Sequence, residues 1–176
     1  MSIVIYFLFG ALTFALILVI YGLTLPKAVH LERSIILNAS LDTVFREVAD
    51  FEHFVTWNPW SRKDPNMKQW FEGEKMSYGS KYSWEGNKQV GKGSMQITHI
   101  EANERVEMDL SFGPRGNAKC GFILEGSENK TRLIWYFDSE MGNNPLKRIV
   151  GGMMERFIGK DYTEGLNNLS KKLENA

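Results

Sequence analysis

The N-terminal apolar segment constrains the fold of this chain more than any other feature of its sequence. From Ile3 to Leu25 no residue is charged, and the first lysine is Lys27. A helix over this segment is roughly 35 Å long, which is enough to cross the hydrocarbon core of a bilayer with some tilt. The segment therefore predicts a transmembrane anchor at residues 1–26 and leaves residues 27–176 for one further domain.

A cleaved signal peptide is the competing interpretation of this segment. Such a peptide has a positive N-terminal region, a shorter apolar run and a cleavage site made of small residues. Here the first residues include no lysine or arginine, and the sequence LTLPKAVH (23–30) is a poor cleavage site. We therefore expect an uncleaved, single-pass anchor. Lys27 and Arg33 follow the span and no cation precedes it, a bias too weak to decide which side of the membrane the domain faces.

Charge, cysteine and histidine content argue against several classes of function. Lysine plus arginine and aspartate plus glutamate number 21 each, and no basic cluster is present to attract nucleic acid. The single cysteine, Cys120, excludes an intrachain disulfide and a cysteine-based zinc site. His30, His53 and His99 lie far apart in the sequence. We expect no nucleic-acid partner, no metal and no cofactor.

The region after the anchor shows the periodicities of an α+β domain. Val29–Asn38 alternates as a half-buried strand, with Arg33 out of pattern on its apolar face. Ser40 is a plausible helix N-cap, and residues 41–57 repeat apolar side chains at helical spacing up to a loop with the sequence WNPW (57–60). About six short strands follow, and the short turns between them predict an antiparallel meander.

A long amphipathic helix is predicted from Pro145 to about Glu174, because apolar residues keep helical spacing there for about eight turns. Gly151, Gly152, Gly159 and Gly165 each disfavour helix by about 1 kcal/mol relative to alanine. We therefore expect the helix to kink or to approach another backbone closely at these positions. One antiparallel sheet and one long helix predict a sheet curved around the helix, with a cavity between them.

Six segments carry a resemblance to a known superfamily. They are ERSIILNASLDTVF (32–45), WNPW (57–60), DPNM (64–67), YSWEGN (82–87), VGKGSMQI (90–97) and IGKDYTEGLNNL (158–169). With the order of elements, they resemble the helix-grip fold of the START-like superfamily, also called SRPBCC, which includes the polyketide cyclase/dehydrase and lipid-transport group. The resemblance is strongest to bacterial members with an N-terminal membrane helix, so the expected location is the bacterial inner membrane. It implies the fold and a hydrophobic cavity, whereas function must be argued from the site.

The candidate ligand-binding residues are large apolar side chains on the apolar faces of the predicted strands or on the long helix. Methionine adapts to varied apolar ligands, and indole adds an N–H donor to a large apolar surface. Core packing is the simpler interpretation for each residue alone, but we expect some members of the set to line the cavity. The candidates are Trp57, Trp60, Trp84, Met95, Met108, Phe122, Trp135, Met153 and Phe157.

No catalytic residue is assigned from the sequence. His99 continues the apolar alternation of its strand, which favours a hydrogen-bonded core histidine over a general base. Glu85 fits a solvated turn, and Arg33 fits an edge position with its charged end in water. Cys120 has no neighbouring base that would make it a nucleophile.

These observations predict a membrane-anchored domain that binds a hydrophobic or amphipathic small molecule, such as a lipid from its own bilayer. Two alternatives stay open: a cyclase or dehydratase acting on an apolar substrate, and a module for a protein partner in the manner of chaperone-ATPase activators. A carboxylate or histidine buried in the cavity favours the enzyme, and a dry apolar cavity favours carriage. A filled interior with an exposed apolar patch favours the protein partner. We expect the WNPW loop to plug or gate the end of the cavity.

Overall fold

Seven antiparallel strands form a single sheet in the computed structural model, which describes residues 2–127 and 129–175. The strands are β1 (Ala28–Leu37), β2 (Lys68–Glu72), β3 (Lys81–Glu85), β4 (Lys92–Glu101), β5 (Arg105–Ser111), β6 (Asn117–Ser127) and β7 (Lys130–Glu140). Their order across the sheet is β1-β7-β6-β5-β4-β3-β2, so β2 to β7 form the predicted meander and β1 pairs with its last strand.

The described residues also form five α-helices and a short 3-10 helix (Gly113–Arg115). The α-helices are α1 (Ser2–Thr24), α2 (Leu41–Ala49), α3 (Phe51–Trp57), α4 (Pro59–Lys63) and α5 (Pro145–Glu174). Helices α2 to α4 connect β1 to β2, and α5 follows β7 and packs against the sheet. A long C-terminal helix held by a curved antiparallel sheet is the helix-grip architecture, so the predicted fold class is confirmed.

The WNPW segment contains the end of one helix and the start of the next, so the prediction of a loop at this segment is wrong. Trp57 ends α3, and Pro59 begins α4 after a single residue, Asn58. The Asn58 side chain accepts a hydrogen bond from the Ser61 amide at 3.0 Å and so caps α4. Proline suits the first position of a helix because its missing N–H would have no helical partner there.

Glycines let α5 pack closely on the sheet. A Cβ on Gly159 would lie 2.5 Å from Nη2 of Arg33, and one on Gly165 would lie 2.9 Å from Cζ3 of Trp135. A Cβ on Gly151 would lie 2.9 Å from Val29, whereas one on Gly152 would meet nothing within 4 Å. The helix is continuous over 30 residues. Close packing against side chains, and not the expected approach to another backbone, is therefore the reason for glycine at three of the four positions.

His99 lies elsewhere than its strand pattern predicts, whereas Arg33 lies on the inward face of the edge strand β1, as its pattern predicts. A β-bulge between Ile97 and His99 shifts the register of β4, so His99 is exposed and bonds to Glu101, with Nε2 and Oε1 2.9 Å apart. Arg33 is half-buried beneath α5 at Gly159, where its Nη2 lies 3.9 Å from a carboxylate oxygen of Glu155.

Helix α1 is exposed along most of its length and contacts the rest of the protein at its C-terminal end. Gly22 is buried against Pro145, the first residue of α5. The buried Arg148 donates from Nη1 to the carbonyls of Leu23 at 3.0 Å and Leu25 at 3.4 Å. The segment Ile3–Thr24 is long and apolar enough to cross a membrane, a property that signal sequences share.

The glycines of α5 provide a matched pair of stability predictions. We expect Gly165→Ala to destabilise the fold by about 1–3 kcal/mol, because its Cβ would overlap Trp135 and Pro59. We expect Gly152→Ala to stabilise it by up to about 1 kcal/mol, because alanine favours helix and the added methyl meets open space. Thermal unfolding of the full chain in mild detergent measures both changes. Equal shifts for the two variants would contradict the close approach of α5 at Gly165.

Candidate ligand cavity

Aromatic rings fill the space between the sheet and the C-terminal half of α5. Trp135 of β7 and Tyr162 of α5 are stacked, with ring centroids 3.8 Å apart and an interplanar angle of 13°. Phe54 and Trp57 of α3 meet Trp135 edge-on at 5.8 and 5.6 Å. Trp57 is 1% exposed, and its Nε1 donates to the carbonyl of Glu47 at 3.1 Å. The space filled by these rings is therefore packed core and has no room for a ligand.

A cavity of about 210 Å³ remains beside this cluster, between the sheet and α5. Its inner wall is made of buried side chains, namely Met67, Tyr82, Met95, Leu110, Cys120, Trp135, Phe137 and Tyr162. Its outer wall is made of residues that are partly or largely exposed, and these mark its open side: Trp60, Trp84, Gln89, Val90, Phe112, Ile158 and Asp161. The chemistry of the wall is dominated by aromatic rings and thioethers.

The nine candidate residues fall into three groups in the structure. Four of them line the cavity: Trp60, Trp84, Met95 and Trp135. Trp57, Met108 and Phe122 are buried in the core outside its lining. Met153 and Phe157 also lie outside it, exposed on the outer face of α5, where their neighbours Met154 and Ile158 turn inward.

Several lining residues were not singled out in the sequence, although their positions carried a signal. Leu110 and Phe137 belong to the same apolar alternation as Met108 and Trp135, and Tyr162 belongs to the apolar spacing of α5. Alternation identifies the face of a strand that points inward. It does not distinguish an inward side chain that meets another side chain from one that meets a cavity.

Asp161 is the one carboxylate of the cavity wall, and both of its oxygens are engaged. Oδ1 lies 2.5 Å from Nζ of Lys63, and Oδ2 accepts a hydrogen bond from Nε1 of Trp60 at 3.1 Å. These contacts tie α4 to α5 at the open side of the cavity. A carboxylate held by two donors is poorly placed to accept a proton from a substrate.

The Tyr162 hydroxyl is a polar group of the inner wall, and its hydrogen-bonding neighbour there is the Trp135 side chain. No hydrogen bond of good geometry joins it to another described side chain, whereas the Tyr82 hydroxyl donates to Oε1 of Gln69 at 3.0 Å. Burial raises the pKa of Tyr162 well above its ordinary value, and a hydrogen bond with the Trp135 side chain acts in the opposite direction. The hydroxyl is therefore neutral at physiological pH and able to bond to a ligand.

Cys120 lies on the same wall as an uncharged thiol. Its Sγ is 3.9 Å from Sδ of Met95, and burial raises its pKa to about 12. The thiolate is the nucleophilic form of cysteine, so a thiol with this pKa is inert at neutral pH. Within residues 2–127 and 129–175, no three His, Cys, Asp or Glu side chains are grouped so that they could hold a metal ion.

Trp57 and Trp60 should respond differently to truncation. We expect Trp57→Ala to cost about 3–5 kcal/mol of unfolding free energy, because it removes a fully buried ring from the aromatic cluster. We expect Trp60→Ala to cost less, because its ring is partly exposed, and to enlarge the cavity on its open side. Chemical denaturation of both variants in the same detergent measures the difference. A similar cost for both would contradict the separation of packed core from cavity wall.

Comparison with solved structures shows the same fold in proteins of low sequence identity. A Thermobifida fusca protein solved by NMR has a TM-score of 0.64 at 16% identity, covering 83% of this chain and 93% of its own. An Arthrobacter aurescens protein has a TM-score of 0.62 at 19% identity, and the match covers 84% of this chain and 87% of that protein. Major latex-like protein 151 from Panax ginseng has a TM-score of 0.57 at 12% identity, and the match covers 84% of this chain and 98% of that protein. At these identities the similarity concerns the fold alone.

Comparison with sequence families identifies the domain more closely. A search of curated proteins finds no match. A family model described as polyketide cyclase / dehydrase and lipid transport matches residues 28–174, which is the whole sheet together with α2 to α5. The chain therefore belongs to the polyketide cyclase/dehydrase and lipid transport family.

Proposed function

We propose that this chain is a membrane-anchored domain that binds a hydrophobic or amphipathic small molecule of lipid type in the cavity between the sheet and α5. The observation that carries the proposal is the wall of the cavity, where Met67, Met95, Leu110 and Phe137 present apolar surface beside the aromatic rings. Apolar ligands gain free energy in such a site in proportion to the area that leaves water. Methionine side chains adapt their shape to different ligands.

The size of the cavity limits what enters it. Sites that bury drug-sized ligands have volumes of roughly 300–1,000 Å³, and this cavity measures about 210 Å³. A single ring system or a segment of one acyl chain therefore fits inside. The remainder of an amphipathic ligand would extend through the open side, past Gln89 and Val90.

Tyr162 is the group that would orient such a ligand. A buried hydroxyl that lacks a hydrogen bond of good geometry gains one when a ligand brings a carbonyl or hydroxyl group to it. Because the Tyr162 ring is fixed by its stack on Trp135, the hydroxyl occupies a defined position. The ligand class that this favours is an apolar molecule with one hydrogen-bonding group.

Anchoring by α1 would place the cavity near a supply of such molecules. The helix has the length and composition of a membrane span, and its apolar side chains are exposed. A tether raises the effective concentration of the domain at the bilayer, where poorly soluble ligands reside.

Turnover of the ligand is not part of the proposal, because the polar groups of the wall do not favour it. Both oxygens of Asp161 are engaged by Lys63 and Trp60, and Cys120 is held as a thiol. No histidine is among the residues that line the cavity. Binding and release need none of these groups to ionise.

Native mass spectrometry of the full chain, extracted from its membrane in mild detergent, tests the proposal. We expect one apolar small molecule to remain bound to a large share of the chains. Cys120→Phe is the matched control, because its ring would extend from the inner wall into the cavity and displace the ligand. Full occupancy of a folded Cys120→Phe variant, or a wild-type chain that never carries a ligand, would contradict binding in this cavity.

Tyr162→Phe tests the orienting hydroxyl in the same measurement. The variant keeps the ring stacked on Trp135 and loses a hydroxyl that makes no hydrogen bond of good geometry with a described side chain other than Trp135, so we expect little change in melting temperature. We expect ligand retention to fall by about tenfold, which corresponds to one hydrogen bond of about 1.4 kcal/mol. Unchanged retention would show that the hydroxyl does not contact the ligand.

A further inference from the structure

A line of exposed apolar side chains runs along the outer face of the first half of α5. Leu146, Val150, Met153 and Phe157 are 59%, 55%, 53% and 60% exposed. Their spacing of four, three and four residues places them on one side of the helix, opposite the side that packs on the sheet. We call these four residues the α5 stripe. Large apolar side chains in contiguous exposed positions mark a surface that binds a membrane, another protein or an apolar ligand.

The apolar character of this face ends abruptly within the same helix. Beyond Phe157 the exposed side chains include Lys160, Asn167 and Lys171. The inward face of α5 stays buried over both halves, from Gly151 to Leu169. The stripe is therefore not needed for packing on the sheet, and only one end of the domain carries it.

The stripe begins where α1 ends. Gly22 of α1 packs so closely on Pro145 that a side chain there would collide with it. The buried guanidinium of Arg148 donates to the carbonyls of Leu23 and Leu25 and so joins the last turn of α1 to the first turn of α5. The exposed apolar surface of α1 thus continues into the stripe through a fixed contact.

The other end of the stripe lies next to a residue of the cavity wall in the sequence. Phe157 directly precedes Ile158, which lies in the outer cavity wall. At 1.5 Å per residue, Leu146 and Phe157 are separated by roughly 16 Å along the helix axis. The stripe therefore runs from the end of α1 to the turn of α5 that carries Ile158.

We propose that the α5 stripe lies in the interface of the bilayer that α1 crosses, with its side chains among the lipid headgroups and upper acyl chains. This inference rests on the proposed anchoring by α1. Helices with one apolar face and cations beside it bind membranes in this way. Lys147, Arg156 and Lys160 are exposed around the stripe and carry charges that suit lipid phosphates. The turn of α5 that carries Ile158 of the outer cavity wall would then lie near the membrane surface.

Depth-dependent fluorescence quenching on the full chain tests this placement. Phe157→Cys, Asn167→Cys and Phe9→Cys are each made in a Cys120→Ala background and labelled with bimane. The proteins are then reconstituted into phosphatidylcholine vesicles that contain doxyl-labelled lipids. We expect shallow doxyl groups to quench the label at Phe157 by at least about twofold more than the label at Asn167, which is exposed on the polar half of the same helix. We expect deep doxyl groups to quench the label at Phe9.

The three positions separate failure of this inference from failure of the anchor. Quenching at Phe9 without quenching at Phe157 would overturn the membrane placement of the stripe and leave the anchor intact. No quenching at either position would show that α1 does not cross the bilayer, and the placement would fail with it. Shielding of the Phe157 label from aqueous iodide without quenching by lipid would mean that a second copy or another protein covers the stripe, which also overturns the inference. Circular dichroism of each variant establishes that it is folded.

Discussion

The stack of Trp135 on Tyr162 fixes where the long helix rests on the sheet. The rings lie 3.8 Å apart, and Gly165 on the next turn of α5 leaves room for the Trp135 ring. Phe54 and Trp57 pack edge-on against the same indole and complete a solid core at this end of the grip. The cavity lies directly beside this core, and Trp135 and Tyr162 also form part of its inner wall.

The WNPW segment joins these two regions. Trp57 belongs to the packed end, whereas Trp60 forms part of the outer cavity wall and meets both Trp135 and Tyr162 edge-on. Helix α4 is held to α5 by Lys63 at Asp161 and by Arg62, whose Nη1 donates to Oδ1 of Asn168 at 2.8 Å. One indole therefore stabilises the fold, and the other is placed where it can contact a ligand.

The sequence predicted the order of the elements because strand alternation and helical spacing follow directly from which side of each element is buried. It could not separate cavity wall from core, since Met95 and Met108 have the same residue type and lie on inward faces of neighbouring strands. The first half of α5 is apolar on both faces, so spacing alone could not assign Phe157 to the outer one. The bulge that turns His99 outward depends on pairing with β5 and leaves no mark in the strand pattern.

Binding in the cavity is tested most directly by NOEs between methionine methyl groups and a bound fatty acid. Met67 and Met95 line the cavity, whereas Met108 is buried outside its lining and serves as an internal control. The full chain is labelled with ¹³C at its methionine methyls and mixed with unlabelled oleic acid in deuterated detergent. We predict NOEs from the acyl chain to Met67 and Met95 and none to Met108. NOEs confined to the exposed Met153, or none to any of these methyls, would contradict a ligand cavity between the sheet and α5.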